Sequence, residues 1–233
     1  MPPADLPFPV QHYDPADRQV VAGGHLPHWT QAGAISFITW RTADSLPRST
    51  IGRLRADRAA WLRVNGGRLD AAYCKRCRSG VEAALDSGSG ACPLRDPDCA
   101  RVVADASRHF DDGWYILFDF VIMPNHVHVL AAFPDAEAMR RQCESWKRFS
   151  AVRLNRLLGR IGRFWQDDSF DHLTRPDAQF VKLREYIAMN PVRGGLQIGE
   201  YLHYSRDLAG FGRQTVPSSP LAERADHVSE HPS

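Results

Sequence analysis

The sequence has 233 residues, of which 43% are hydrophobic and 24% charged, and its formal net charge is +2. This length suits one domain with a sizeable core, and the near-neutral charge alone does not identify a nucleic-acid-binding protein. No apolar run approaches the roughly 20 residues that span a bilayer. Residues 1–5 lack the basic and apolar regions of a secretory signal. We therefore expect a cytoplasmic protein that does not act in a membrane.

The N-terminal part of the chain is predicted to hold an arm, a strand and a helix. Residues 1–23 form the expected irregular arm, and the main domain is placed at 24–211. The β-branched and aromatic run at 34–42 predicts a strand. Ser49 is the expected N-cap of a helix that continues through Leu62.

The segment 65–99 is predicted to be a variable insert, rich in cysteine and glycine, within that domain. Its glycine and serine pairs favour a partly mobile excursion with only a short helix near 81–85. Asp96 and Pro97 then have the residue types of a helix start, and this helix is expected to reach Phe110. The end of the chain, 212–233, has no aromatic residue and is expected to be disordered.

The five cysteines are expected to be reduced, because the sequence shows no secretory signal. Cys74 and Cys77 have the spacing of half a zinc site, and Cys92 and Cys99 are the other potential ligands. The spacing of the second pair does not fit a standard knuckle. Unbound thiols are therefore the favoured interpretation, and a small zinc clip is the alternative.

Two adjacent strands are predicted at 114–123 and 126–133, joined as a hairpin by the short connection at 124–125. Side chains two residues apart on a strand point to the same face. His126 and His128 therefore present two imidazoles together, which is half of a divalent-metal site. A bare His-x-His pair more often has only solvent or backbone partners, so the motif alone is weak.

A long basic helix is predicted at 136–161. Its apolar face is defined by spacings of three and four residues and consists of Met139, Cys143, Trp146, Ser150, Leu154, Leu157 and Ile161. The candidates for gripping the phosphate backbone of DNA lie on its other faces and are Arg140, Arg141, Arg148, Arg153 and Arg156. A solvated basic surface is the alternative.

A further helix is predicted at 176–190, ending before Pro191. Tyr186 and Asn190 lie one turn apart on its polar stripe. A phenol on a rigid helix can act as a nucleophile, and Asn190 has an oxygen to offer to a metal. Taken alone, Tyr186 is more simply a boundary tyrosine with a wet hydroxyl. The order of strands and helices favours an α+β layer with helices on an antiparallel sheet.

Four sequence blocks occur in the order found in one family. They are ISFITWR at 35–41, MPNHVH at 123–128, GRFWQ with FDH at 162–172, and YIAMNPVR at 186–193. With these blocks the chain, over residues 24–210, resembles the REP-associated tyrosine transposases of the single-tyrosine HUH (His-hydrophobe-His) superfamily.

The resemblance implies a ferredoxin-like sandwich with an antiparallel sheet. It implies that His126 and His128 bind a divalent metal, Mg²⁺ or Mn²⁺, and that Tyr186 is the catalytic nucleophile. Asn190 stands where broader insertion-sequence relatives commonly carry a glutamine as third metal ligand. Because asparagine is shorter, water or Glu185 are alternatives for that third ligand.

The implied activity is transposase-like nicking and strand transfer of single-stranded DNA with an adjacent hairpin, through a covalent 5′-phosphotyrosine. The alternatives are a hairpin-DNA-binding protein without cleavage activity, an unrelated metal-dependent hydrolase in which Tyr186 is structural, and action on RNA. The sequence leaves open the DNA motif, the native metal and whether the protein is a monomer or a homodimer. It also leaves open whether the tyrosine serves the histidines of its own subunit.

Overall fold

The structure, a computed structural model, describes residues 7–11, 14, 20–22, 28–166, 170–173 and 177–208. The strands are β1 (Val20–Ala22), β2 (His28–Thr30), β3 (Ile35–Arg41), β4 (Ile116–Ile122), β5 (His126–Ala132), β6 (Phe170–Leu173) and β7 (Leu202–Ser205). The helices are α1 (Arg48–Val64), α2 (Ala71–Asp86), α3 (Pro97–Arg108), α4 (Ala136–Leu157) and α5 (Asp177–Arg193). The predicted tail at 212–233 and most of the predicted arm at 1–23 lie outside the described residues.

The main sheet has five antiparallel strands in the order β6-β3-β5-β4-β7. Helices α1 to α3 lie between β3 and β4 in the chain, and α4 lies between β5 and β6. The four strands β3 to β6 alternate with helices, and the last of them, β6, lies beside the first, β3, as in the ferredoxin-like arrangement. Strand β7 is a fifth strand, added at the edge formed by β4. The expected α+β class and antiparallel sheet are confirmed. A separate two-stranded sheet pairs β1 with β2.

Helices cover both faces of the sheet. On one face, α3 and α4 pack a core that includes Val103, Trp146 and Val129. On the other face, α5 packs through Ile187 against Phe37 and Leu130. Because side chains alternate along β5, the odd-numbered residues face α3 and α4 while the even-numbered ones face α5.

The insert is more ordered than the sequence predicts. Instead of a short helix near 81–85, α2 has 16 residues and begins at the N-cap Asp70, whose side chain accepts a hydrogen bond from the Tyr73 amide at 2.8 Å. Val81 and Leu85 pack against Leu46, and this tertiary contact offsets the low helix propensity of Ser79 and Gly80 in α2.

Two helix ends differ from the prediction. Helix α4 stops at Leu157 rather than at 161, because Gly159 takes a left-handed conformation with φ of 59°. Leu157 and Ile161 are therefore exposed and not part of the apolar face. Helix α5 runs through Pro191 to Arg193, since a proline this near the end removes only one hydrogen bond.

Other predicted positions also need correction. The N-cap of α1 is Pro47 without a side-chain cap, so Ser49 lies inside the helix. The sequence did not predict β6 or β7, which are both four-residue strands at sheet edges. Within the described part of the chain, we find no helix with both the length and the apolar character required to cross a bilayer.

Candidate active site

Two buried histidines form the centre of the site. His126 and His128 stand two residues apart on β5, each is 1% exposed, and their ring centroids are 4.7 Å apart. They lie opposite Arg41 and Thr39 of β3. The alternation of β5 turns both rings to one face, as the sequence predicts, and α5 covers that face.

The predicted tyrosine reaches the same place. The Tyr186 ring lies 5.4 Å from the His128 ring and 5.7 Å from the Phe37 ring, measured between centroids. Ile187, the next residue on α5, is fully buried against the sheet and fixes this part of the helix. The phenol and the two imidazoles therefore meet within a single chain.

Five polar atoms at this site are buried without a hydrogen-bond partner. They are the Nε2 atoms of His126 and His128, the hydroxyl of Tyr186, and the amide oxygen and nitrogen of Asn190. An unpaired buried polar atom costs about 1–3 kcal/mol, so native proteins rarely keep one without a reason. Their concentration here indicates a place built to receive a polar ligand.

The other ring nitrogens of the histidines are held. His126 Nδ1 lies 2.7 Å from the side-chain oxygen of Asn125, and His128 Nδ1 lies 2.7 Å from the hydroxyl of Thr39. Such contacts fix the ring orientation of metal-binding histidines. Both Nε2 atoms are thereby left available to a ligand.

Asn190 is the candidate for a third ligand. It is fully buried on α5, and its side chain is near enough to act on the pKa of both His126 and Tyr186. Glu185, the alternative, is on the exposed side of α5. Two imidazole nitrogens and one amide oxygen form a mixed donor set that suits Mn²⁺ better than the oxygen-preferring Mg²⁺.

Electrostatics keep both imidazoles neutral and the phenol protonated. Burial lowers the pKa of His126 to about 3 and holds the pKa of His128 well below its usual value. Burial, together with Glu82 and Asp86 of α2, raises the pKa of Tyr186. The Arg193 guanidinium, 5.1 Å from the centroid of the tyrosine ring, opposes that rise in pKa.

This burial predicts a loss of stability in mild acid. In the unfolded chain both histidines titrate near pH 6.5, whereas in the folded metal-free protein they stay neutral to lower pH. The unfolded state therefore binds more protons below about pH 6.5, and the free energy of unfolding falls by about 1.4 kcal/mol per pH unit for each histidine.

Denaturant unfolding between about pH 7 and about pH 5, with chelator present, measures this slope. Replacing both histidines by leucine is expected to flatten the slope, and His109→Gln, at an exposed position, is the matched control. An equally steep slope in the double leucine variant would assign the acid sensitivity to other groups.

The structure separates the five candidate DNA-binding arginines. Arg141 and Arg148 line a groove of about 580 Å³. Arg140 instead donates hydrogen bonds to Glu137 and Glu144 on its own helix. The Arg153 guanidinium lies 4.5 Å from the centroid of the Phe149 ring, which is 45% exposed, and Arg156 is exposed on the last turn of α4.

The groove adjoins the histidine end of the sheet. Helix α4 forms one part of the groove wall, which includes the further cation Lys147. Residues 162–166 form the other part, which includes Arg163. The amide of Gln166 donates to the Arg41 carbonyl at 2.9 Å, and Arg41 pairs with His126 across the sheet. The groove wall is thereby joined to the end of β3 that pairs with His126, while α4 itself covers the face of the sheet opposite to the two imidazoles.

The alternative of a zinc clip gains no support from the described residues, among which no three His, Cys, Asp or Glu side chains are grouped to hold a metal. The Cys92 thiol donates to the Gly88 carbonyl at 3.2 Å. Cys99 is fully buried at the start of α3, where burial raises the pKa of its thiol to about 11. The side chain of Cys74 lies outside the described residues.

Comparisons with known proteins add little to this geometry. No family model matches the chain, and no curated protein does. A solved structure, of a REP-associated tyrosine transposase bound to a REP hairpin, matches over 73% of each chain at 13% identity, with a TM-score of 0.40. This structural similarity is too weak to indicate an activity.

Proposed function

We propose that the protein is a metal-dependent enzyme that nicks single-stranded DNA and transfers the strand through a covalent 5′-phosphotyrosine at Tyr186. The observation that carries this proposal is the group of unpaired buried atoms that joins Tyr186 and Asn190 to the two imidazoles. A merely structural tyrosine would have its hydroxyl paired or wet. Here the hydroxyl is buried and unpaired, as are the Nε2 atoms of both imidazoles.

His126 and His128 would hold the divalent metal, with Asn190 as third ligand. Their low pKa values favour this role, because only a neutral imidazole binds a metal. A bound divalent cation polarises a phosphate oxygen and neutralises the charge that develops on phosphoryl transfer.

Tyr186 would supply the attacking oxygen. Its phenol loses its proton, the phenol oxygen forms a bond to phosphorus, and the bond from phosphorus to the 3′-oxygen of the preceding nucleotide breaks. The leaving oxygen takes up a proton and becomes a free 3′-hydroxyl. Arg193 beside the tyrosine ring would stabilise the phenolate. A second 3′-hydroxyl reverses the step and rejoins the strand without nucleotide energy.

The groove supports a nucleic-acid substrate. Arg141, Lys147, Arg148 and Arg163 give it cations that suit a phosphate backbone. The exposed Phe149, with Arg153 over its ring, offers a stacking surface for an unpaired base. Both features fit single-stranded DNA flanking a hairpin stem, which would be gripped through its phosphates.

A labelled single-stranded hairpin DNA incubated with the protein tests the activity. We expect nicking with Mn²⁺ and none with chelator. The alternative is a hairpin-binding protein without cleavage activity, and the burial of the phenol hydroxyl and both Nε2 atoms favours it, since these atoms have almost no contact with solvent. Hairpin binding without nicking under any divalent metal would decide for that alternative.

The groove gives a separate prediction. Arg148→Ala is expected to weaken hairpin binding about equally for all sequences and to reduce the salt dependence by about one phosphate contact. Arg140→Ala is the matched control on the same helix, because ion pairs with Glu137 and Glu144 already occupy that guanidinium. Binding measured across a salt series distinguishes them, and equal losses would contradict a role for the groove.

A further inference from the structure

The side chain of Asn125, between β4 and β5, is held in one orientation. It is 1% exposed, and its amide nitrogen donates to the Ser89 carbonyl at 2.9 Å and to the Leu85 carbonyl at 3.3 Å. A reversed amide would place its oxygen against two carbonyl oxygens, which cannot donate. The amide oxygen must therefore face His126, whose Nδ1 lies 2.7 Å away.

This orientation determines where His126 carries its hydrogen. An amide oxygen only accepts, so Nδ1 must be the donor and the lone pair must be on Nε2. That Nε2 is buried without a hydrogen-bond partner, and the Asn190 side chain is near enough to act on the pKa of His126. The Thr39 hydroxyl next to His128 can both donate and accept, so it does not by itself select a tautomer.

The two carbonyls belong to the insert, and the insert is fixed in place. Leu85 at the end of α2 is buried against Leu46. The turn that follows α2 is tied by Asp44, whose carboxylate accepts from the Ala91 amide at 2.9 Å. Gly90 in this turn has a φ of 94°, and a Cβ there would lie 2.8 Å from the Asp44 carbonyl oxygen.

We infer that Asn125 is a positioning residue of the proposed metal site, locked by the Leu85 and Ser89 carbonyls so that His126 presents a lone pair on Nε2. The inference rests on the proposed function. It gives the insert a role: α2 and its turn hold the first metal-binding histidine in the tautomer that can bind a metal.

The test measures the ¹⁵N NMR chemical shifts of the two His126 ring nitrogens in the full-length, metal-free protein. A Mn²⁺ titration of the same protein measures metal binding. We expect the wild type to show hydrogen on Nδ1. Asn125→Ala is expected to move that hydrogen to Nε2 and to weaken Mn²⁺ binding about 10- to 100-fold. Asn125→Leu keeps the approximate size of the side chain and also removes the acceptor, so it should give the same two changes if the alanine variant does not fold.

A matched asparagine and a matched glycine serve as controls. Asn155→Ala likewise removes a side-chain hydrogen bond to a backbone carbonyl, that of Gly162 at 2.8 Å, and should change neither signal. Gly90→Ala should weaken Mn²⁺ binding by displacing the turn. Gly66→Ala, with φ of 59° and open space around it, should not.

Two outcomes separate the inference from the function. Hydrogen on Nε2 in the wild type, or an unchanged signature in Asn125→Ala, would overturn the positioning role even if Mn²⁺ binds. If the wild type instead carried hydrogen on Nδ1 but bound no Mn²⁺, the proposed metal chemistry would be wrong. The positioning role of Asn125 toward His126 would still hold.

Discussion

Tyr186→Phe is expected to abolish DNA nicking, by at least about a thousandfold, without loss of stability. The hydroxyl that the substitution removes is buried without a hydrogen bond of ordinary length, and its polar neighbour there is the Asn190 side chain. The ring contacts to Phe37 and His128 remain. Removing a buried unpaired hydroxyl should leave the free energy of unfolding unchanged or raise it by about 1 kcal/mol.

Tyr115→Phe is the control for which we expect the opposite pair of results, a loss of stability without a loss of nicking. The Tyr115 hydroxyl donates to the Ser107 carbonyl at 2.7 Å and accepts from the Trp146 indole at 3.3 Å, on the opposite face of the sheet. Its loss should cost about 1–3 kcal/mol and leave nicking intact. Thermal unfolding and hairpin cleavage measured side by side give both results. If Tyr186→Phe nicked DNA as fast as the wild type, Tyr186 would not be the nucleophile.

Arg184→Met is expected to cost about 3–5 kcal/mol of folding free energy. Its guanidinium donates to the carboxylate of Asp119 at 2.8 Å, and Asp119 is 1% exposed on β4. Ser205 of β7 donates to the other carboxylate oxygen at 2.6 Å. Without the arginine, a buried carboxylate loses its counter-charge, and α5 loses its polar link to β4 and β7 two residues before Tyr186.

Arg140→Met is the comparison for that loss. Its two ion pairs are on the surface, with the arginine side chain 53% exposed, and such pairs are worth about 1 kcal/mol or less. Denaturant unfolding of both variants measures the difference. If Arg184→Met cost no more than Arg140→Met, the buried pair would not be what fixes α5 on the sheet.

The central strands were predictable from local pattern. The run at 34–42 and the pair at 114–133 are rich in β-branched and aromatic residues, and a period of two places His126 and His128 on one face. The short strands β6 and β7 have four residues each, too few for a period of two to be distinguished from chance. They exist because β3 and β4 offer unpaired edges, which is a property of the assembled sheet.

The insert shows where local pattern fails. Glycine and serine in and around α2 predict a mobile segment, whereas packing of Val81 and Leu85 on Leu46 stabilises a full helix. The influence of Glu82 and Asp86 on Tyr186, and the contact of Ser89 with Asn125, join parts of the chain that are distant in sequence. No spacing rule predicts such contacts.

The meeting of Tyr186 with the two histidines was likewise not derivable from spacing. Helical periodicity places Tyr186 and Asn190 on one stripe of α5, and strand periodicity pairs the imidazoles, but neither orients the helix on the sheet. Only the family resemblance implied that they converge. The groove wall at 162–166 depends on the chain reversal after α4, which Gly159 and Gly162 permit with their positive φ values.

Mapping a covalent DNA adduct tests the central claim most directly. Protein incubated with hairpin DNA and Mn²⁺ is denatured, the DNA is trimmed by nuclease, and tryptic peptides are weighed. Trypsin releases residues 185–193, which contain a single tyrosine. We predict a 5′-linked nucleotide on this peptide, absent with chelator and absent from Tyr186→Phe. Nicked DNA without any protein adduct, or an adduct on another peptide, would contradict the account.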